Sequence, residues 1–392
     1  MYKDWGWVNL ASAILVFGAH LQMVGISRAF FLLSLIVFGG LYFCKRRFSF
    51  PYQNPPSIFS FVFVFFFVYF SLFSIMKNGV NSAAILSYVE MIFFLFFVGV
   101  VFVFGYRLNL QEMRQFWSGV DLAVVALIIL SLVIDGIYMQ RYQGVFYNPN
   151  SLGQFGVFAF IVGLVSHHRS RSSFKPKNGS SIIGPLMLGA GFLLVLMSNS
   201  RAATGILVSL SVLHFLLMAM APSERKVHLL YLVMALLFGA VLGGYLGAFG
   251  ETADKFVAKL NSDDPTGGRL LTWVSAMEAA QPFGHGHGYF DKFDTGPHNT
   301  FISILGQYGY VPLACYFGFL LMIGVVLARR SLSSLVRVHS GSVDYSVAAR
   351  GGLYFYLAFF AYSLVEVATI KPLFIVSLIM FGFLVKRFGV DR

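Results

Sequence analysis

At 392 residues the chain is 58% apolar and only 11% charged, with a mean hydropathy of +0.77; ordinary soluble domains carry about a quarter of their residues as charges, so a water-exposed globule is excluded. The net charge of +12 suggests nucleic acid at first sight. However, Lys and Arg stand in short segments between apolar runs, where membrane orientation accounts for them and no nucleic-acid partner is implied.

The apolar runs recur at about 18 to 22 residues, the length a helix needs to cross a ~30 Å hydrocarbon core. They are continuously apolar rather than alternating, which excludes a closed β-barrel. The expected fold is therefore all-α, a polytopic integral membrane protein of about 12 transmembrane helices. In chain order the spans fall at roughly 5 to 24, 28 to 44, 58 to 76, 83 to 104, 116 to 137, 151 to 166, 182 to 198, 202 to 220, 229 to 248, 310 to 328, 351 to 368 and 370 to 385. The first run follows only Lys3, lacks a small-residue cleavage site and leads almost directly into the second, so it reads as a retained span. Cys44 and Cys315 lie in or at the ends of spans, far apart in sequence, and read as inert buried thiols rather than a disulfide framework. The 45 phenylalanines are lipid-facing and interhelical bulk, not a cofactor box.

Placing both termini in the cytoplasm puts most of the positive charge inside. Outside remain Arg28, Lys77, Arg141, Arg201, Lys255, Lys259, Arg269, Lys292 and Lys371, four of them in one long loop that the positive-inside rule counts weakly. This orientation puts the polar segments around 138 to 150, 199 to 201 and 249 to 300 on one outer face, as an active site requires. Residues 1–392 are expected to form a single transmembrane domain with one outer insertion at 250–308.

Within the insertion, Ala253, Phe256, Val257 and Leu260 recur at helical spacing, as in a short interfacial helix. The run from Ser262 to Gly268 breaks it, and a second helix is expected from Arg269 to Ala280, ending before Pro282. Phe283-Gly284-His285-Gly286-His287-Gly288-Tyr289-Phe290 requires a tight irregular turn. A third helix is expected to start at Pro297, because proline suits a first helical turn, and to carry Phe301, Ile302 and Leu305 on one side. That start would place His298 near a helix N-terminus, where the dipole favours a neutral ring able to accept a proton.

Two readings stand for each candidate residue. His298 is either a general base or a histidine that hydrogen-bonds a headgroup or backbone at the membrane surface. Arg201, in Ser198-Asn199-Ser200-Arg201-Ala202 with almost no room for a loop, either snorkels to the surface or binds an anion. Arg141, Arg201 and Arg269 reaching one outer pocket would form a fork-shaped phosphate clamp. Asn148 and Asn150 flank Pro149 and read either as binding groups or as turn-formers. His285 and His287 lack further clustered ligands for a metal, and the glycines around them follow no strand and precede no Gly-Lys-Ser/Thr. Asp263-Asp264 reads as a loop-breaking turn. Glu90, Asp121, Asp135, Glu366, His20 and His214, in or at the edges of spans, read mainly as packing or polarity anchors, with Glu366 near Lys371 available to pair with an active-site arginine.

Taken together, Gln140-Arg141-Tyr142-Gln143-Gly144-Val145-Phe146-Tyr147-Asn148-Pro149-Asn150, Asn199-Ser200-Arg201, Gly267-Gly268-Arg269 with Trp273, Pro282-Phe283-Gly284-His285-Gly286-His287-Gly288, and His298-Asn299 followed by Gly309 stand in a recognisable order. On these pieces, which span about Gln140 to Leu320, the chain resembles the bacterial O-antigen ligase and O-antigen polymerase superfamily. Pro312 departs from the pattern, standing where a glycine or small residue often closes the histidine motif.

The resemblance implies inverting, metal-independent glycosyl transfer, without a cofactor, from an undecaprenyl-diphosphate-linked glycan at the periplasmic face of the bacterial inner membrane. On this resemblance His298 would activate the acceptor hydroxyl, and Arg201 and Arg269 would hold the diphosphate. Arg141, Asn148, Asn150 and Asn299 would bind donor or acceptor. The acceptor would be lipid A–core for a ligase, which the compact chain and its long insertion with one His-Asn motif resemble, or a growing glycan for a polymerase. The competing class is a lipid-linked glycan flippase or other transporter. Such carriers show internal repeats and midplane charges, whereas this chain shows no strict repeat and gathers its polar residues at the outer mouth.

Overall fold

The computed structural model describes residues 6–21, 55–98, 110–134, 137–138, 141–146, 148–172, 182–219, 233, 250, 254, 257–258, 268–336 and 343–367. Among them the architecture is all-α apart from a minimal antiparallel hairpin, β1 (Ile137–Tyr138) against β2 (Arg141–Tyr142), with Ile137 opposite Tyr142. The helices are α1 (Trp7–Leu21), α2 (Pro55–Asn78), α3 (Ser82–Val98), α4 (Leu110–Val133), α5 (Pro149–Ser172), α6 (Ile183–Ser198) and α7 (Arg201–Ala219), then α8 (Arg269–Glu278), α9 (Thr300–Tyr308), α10 (Tyr310–Val336) and α11 (Val343–Val365).

Every expected span that falls among these residues is helical, whereas those at 28 to 44 and 370 to 385, and nearly all of 229 to 248, lie outside them. Gln115–Val133, Pro149–His167 and Tyr310–Arg329 are long and apolar enough to cross a bilayer. Leu86 on α3, Ile129 on α4, Phe215 on α7 and Leu321 on α10 are among the large apolar side chains that stay exposed, as expected where lipid is the solvent. The protein is an α-helical integral membrane protein.

The chain forms two compact units. The first contains residues 1–47, 107–257 and 331–358. In it α1 packs on α4, where Ser12 Oγ donates to the Phe116 carbonyl at 2.9 Å. Helices α5 and α6 pack closely, and glycine is the cause. A Cβ added at Gly156 would lie 2.8 Å from the Gly191 carbonyl oxygen, and one at Gly191 would lie 2.7 Å from the Phe160 nitrogen. Without a hydrophobic drive between helices in lipid, such small-residue contacts are how backbones come together.

Two buried histidines of this unit, His20 and His214, are packed as anchors. His20 bonds the Val16 carbonyl at 2.6 Å among Phe146, Phe155 and Phe158, while His214 lies 2.8 Å from the Tyr354 hydroxyl.

The second unit contains residues 48–106, 258–330 and 359–392. Here α2 packs on α3 and on α9, and α8 packs on α9. The glycine-rich stretch is the expected irregular turn, with Gly284 at φ +61° and Gly286 at φ +93°, leading into a 3₁₀ turn at Tyr289–Lys292. It lies along the end of α9: His285 and Gly286 donate their N–H groups to the Gly306 and Gln307 carbonyls, each at 3.0 Å. From α2, Ser74 Oγ donates to the Phe283 carbonyl at 2.5 Å. Gly309 closes this arrangement at φ +96°, and a Cβ there would strike the backbone of Pro282 and Gly284. Pro312 falls in the first turn of α10, where its missing N–H leaves no helical bond unmade.

Candidate active site

Helix α8 runs Arg269–Glu278, close to the expected limits. Its N-cap is Gly268 in the left-handed region at φ +82°, which makes Arg269 its first residue. Thr272 Oγ1 lies 3.2 Å from Thr295 Oγ1, and the Trp273 indole N–H donates to the Pro297 carbonyl at 2.6 Å. These bonds tie the arginine-bearing helix to the loop carrying His298. Beneath it, Ala276, Tyr289 and Phe290 form a small apolar core, and burial pushes the Tyr289 phenol above its ordinary value.

The expected start of the third helix is corrected. It begins at Thr300, not Pro297, because Asn299 provides the N-cap: its Oδ1 accepts from the Phe301 N–H at 2.9 Å and the Ile302 N–H at 3.1 Å. A side-chain acceptor for free N–H groups outweighs proline's fit to a first turn. His298 is consequently outside the helix, with left-handed backbone at φ +41°. For an L residue that conformation costs roughly 1–2 kcal/mol.

What faces the imidazole is not the helix N–H groups, which Asn299 occupies, but a carboxylate. His298 Nδ1 lies 3.5 Å from Glu366 Oε2. This adds to the expectation for Glu366, which is more than a packing anchor; Lys371 lies outside the described residues. The available signal was an ionisable group at the end of an apolar span. Its partner was hidden because nothing local links the two positions. Asn299 Nδ2 also donates to the Leu364 carbonyl at 3.0 Å, so one amide caps the start of α9 and bonds a carbonyl in the last turn of α11.

The first unit holds the remaining candidates. Asn199 ends α6 in left-handed conformation at φ 51°, and Ser200 follows; with only these two residues as a corner, Arg201 opens α7 and is exposed. A Cβ on Gly153, one turn into α5, would meet Ser198 Oγ at 2.8 Å and Ser200 Cβ at 2.9 Å, so the start of α5 lies against this corner. Asn148 accepts from the Ser151 N–H at 2.9 Å and thus serves as a turn-former, while Asn150 is exposed in the first turn of α5. Arg141 stands on β2, whose neighbour Tyr142 donates its hydroxyl to the Ser131 carbonyl. The structure thus groups Arg269, His298 and Asn299 in the second unit, and Arg141, Asn148, Asn150 and Arg201 in the first.

Arg201 and Arg269 share one feature: each is the first residue of a helix. A cation there opposes the helix dipole by about 0.3–1 kcal/mol, so local stability does not explain either guanidinium. An anion would meet both the guanidinium and the positive helix end.

The other insertion histidines are engaged elsewhere. His285 Nε2 lies 2.6 Å from the Ala279 carbonyl oxygen and its ring stacks on Tyr289, while His287 Nδ1 is 3.4 Å from Ser87 Oγ. Among the described residues, no three His, Cys, Asp or Glu side chains group as a metal site.

No curated protein matches the chain. Residues 186–317 match the family model described as O-antigen ligase. That segment contains Arg201, Arg269, His298 and Asn299, and excludes Arg141, Asn148, Asn150 and Glu366. Over residues 186–317 the chain is therefore similar to the O-antigen ligase family, which supports the superfamily resemblance carried by its motifs.

Proposed function

We propose that the protein transfers a glycan, with inversion, from an undecaprenyl-diphosphate carrier to a sugar hydroxyl, the acceptor being lipid A–core. The carrying observation is His298 in a left-handed turn inside the family-matched segment, held beside the arginine-bearing α8. An imidazole accepts a proton near neutral pH. In the proposed step, the acceptor O–H proton passes to His298 and the oxygen bonds the anomeric carbon. The bond from that carbon to the diphosphate breaks, and its electron pair leaves with the lipid diphosphate. Arg201 and Arg269 bind the diphosphate and stabilise the charge that develops, and no metal or cofactor is needed for that task. Arg141, Asn148 and Asn150 contribute to donor or acceptor binding, while Asn299 holds the loop that carries the base.

The reading includes one membrane domain of about twelve spans with both termini cytoplasmic, and the insertion at 250–308 in the periplasm of a bacterium with two membranes. Polymerisation of glycan repeat units uses the same donor chemistry and differs only in whose hydroxyl attacks.

Membranes containing wild type or His298→Ala, supplied with lipid-linked glycan and either lipid A–core or no added acceptor, test the reading. Wild type is expected to load lipid A–core, and His298→Ala to lose at least about 100-fold of that rate. Elongated lipid-linked glycan in the absence of lipid A–core would establish the polymerase instead. Undiminished transfer by the variant would remove the histidine from the mechanism.

A further inference from the structure

Glu366 follows the last residue of α11 and lies outside the family-matched segment. Its Oε2 is 3.5 Å from His298 Nδ1, and the two side chains differ in exposure: 14% for the carboxylate against 44% for the imidazole. The acid is sheltered and the ring reaches outward.

The approach does not depend on a flexible side chain alone. Asn299 Nδ2 donates to the Leu364 carbonyl at 3.0 Å, and Thr300 Oγ1 donates to the Glu366 carbonyl at 2.9 Å. Both side chains belong to buried residues, and both follow His298 directly. Two hydrogen bonds therefore hold the backbone around Glu366 against the backbone around His298. An isolated surface ion pair lacks such scaffolding and contributes little.

We propose that Glu366 is a positioning residue for His298: the carboxylate faces Nδ1, holds its proton there, and leaves the lone pair on Nε2 to receive the acceptor hydroxyl proton. The inference rests on the reading of His298 as the base. A carboxylate on one ring nitrogen selects the tautomer of the other. Glu366 remains ionised throughout and stabilises the imidazolium while the proton resides on Nε2; the carboxylate takes no proton and touches no substrate.

The test combines turnover with a spectroscopic signature. In full-length protein carrying ¹⁵N-labelled histidine, the His298 resonances, identified by their loss in His298→Ala, are expected to show Nδ1 as the protonated nitrogen of the neutral ring. Glu366→Gln is expected to change that tautomer balance and lower turnover at saturating donor by at least about tenfold, with donor KM changed by less than about threefold. Glu366→Asp, which keeps the charge, is expected to recover part of the loss. In a His298→Ala background, Glu366→Gln is expected to cause no further loss, because a residue acting through the imidazole has nothing left to position.

An unchanged tautomer in Glu366→Gln, or a loss that multiplies with that of His298→Ala, would overturn the positioning role while leaving the base intact. Full activity in His298→Ala would overturn the base itself, whatever Glu366 does. If Glu366→Gln fails to fold, the Glu366→Asp spectrum decides: a retained Nδ1 proton supports the proposal, and its loss with turnover unaffected contradicts it.

Discussion

At the scale of single residues, Asn299 connects folding to the site. Its amide makes three bonds: two accepted from α9 and one donated to α11. Asn299→Ala removes a helix cap and leaves the Leu364 carbonyl without that donor, a loss of about 1–3 kcal/mol. The expected outcome is a lower thermal midpoint in detergent together with reduced turnover. Asn299→Asp is expected to retain the cap but not the α11 bond, so its midpoint should fall between the two. A variant that raises substrate KM while leaving stability and turnover unchanged would instead return Asn299 to substrate binding.

The identity of this residue's neighbours was legible in sequence, since His298-Asn299 stood out as polar in an apolar chain. The use of its amide was not. A proline two residues before an asparagine suits either a helix begun at the proline or one capped by the asparagine. The contact with Leu364 comes from another part of the chain.

Among the elements, helix ends and glycine faces shape the arrangement. The α5–α6 pair depends on Gly156 and Gly191 meeting backbone to backbone, with the start of α5 placed by Gly153 against the corner before Arg201. Gly156→Val is therefore expected to cost about 1–3 kcal/mol through overpacking, read as a lower unfolding midpoint. Gly205, in α7, has nothing within 4 Å of an added Cβ, so Gly205→Ala is expected to leave the midpoint unchanged or raise it slightly. Equal effects at the two positions would contradict close packing as the reason for the glycines. Helix limits such as Arg269–Glu278 and the abrupt α6–α7 corner were readable from proline, glycine and apolar spacing. These signals act within a few residues.

For the molecule as a whole, the proposed function requires that charge on a lipid-borne diphosphate be met. Arginines at the first positions of α7 and α8 supply positive charge, while His285 and His287 are engaged with Ala279 and Ser87. On the proposed function, transfer is expected to continue in excess chelator within about twofold of its untreated rate, since Arg201 and Arg269 would perform the task a divalent ion otherwise takes. Loss of activity on chelation, restored by a divalent ion, would contradict the arginine assignment.

The amino-acid sequence by itself determined the membrane-embedded helical class, the order of the polar motifs and the residues worth testing. All of these follow from composition and from neighbours along the chain. Only the tertiary structure decided that His298 faces Glu366, that Asn299 bonds two helices, and that His285 and His287 have separate partners. The His298–Glu366, Asn299–Leu364 and His287–Ser87 pairings join residues far apart in sequence, so no local periodicity encodes them; packing of the helices brings them within hydrogen-bonding or ion-pair range.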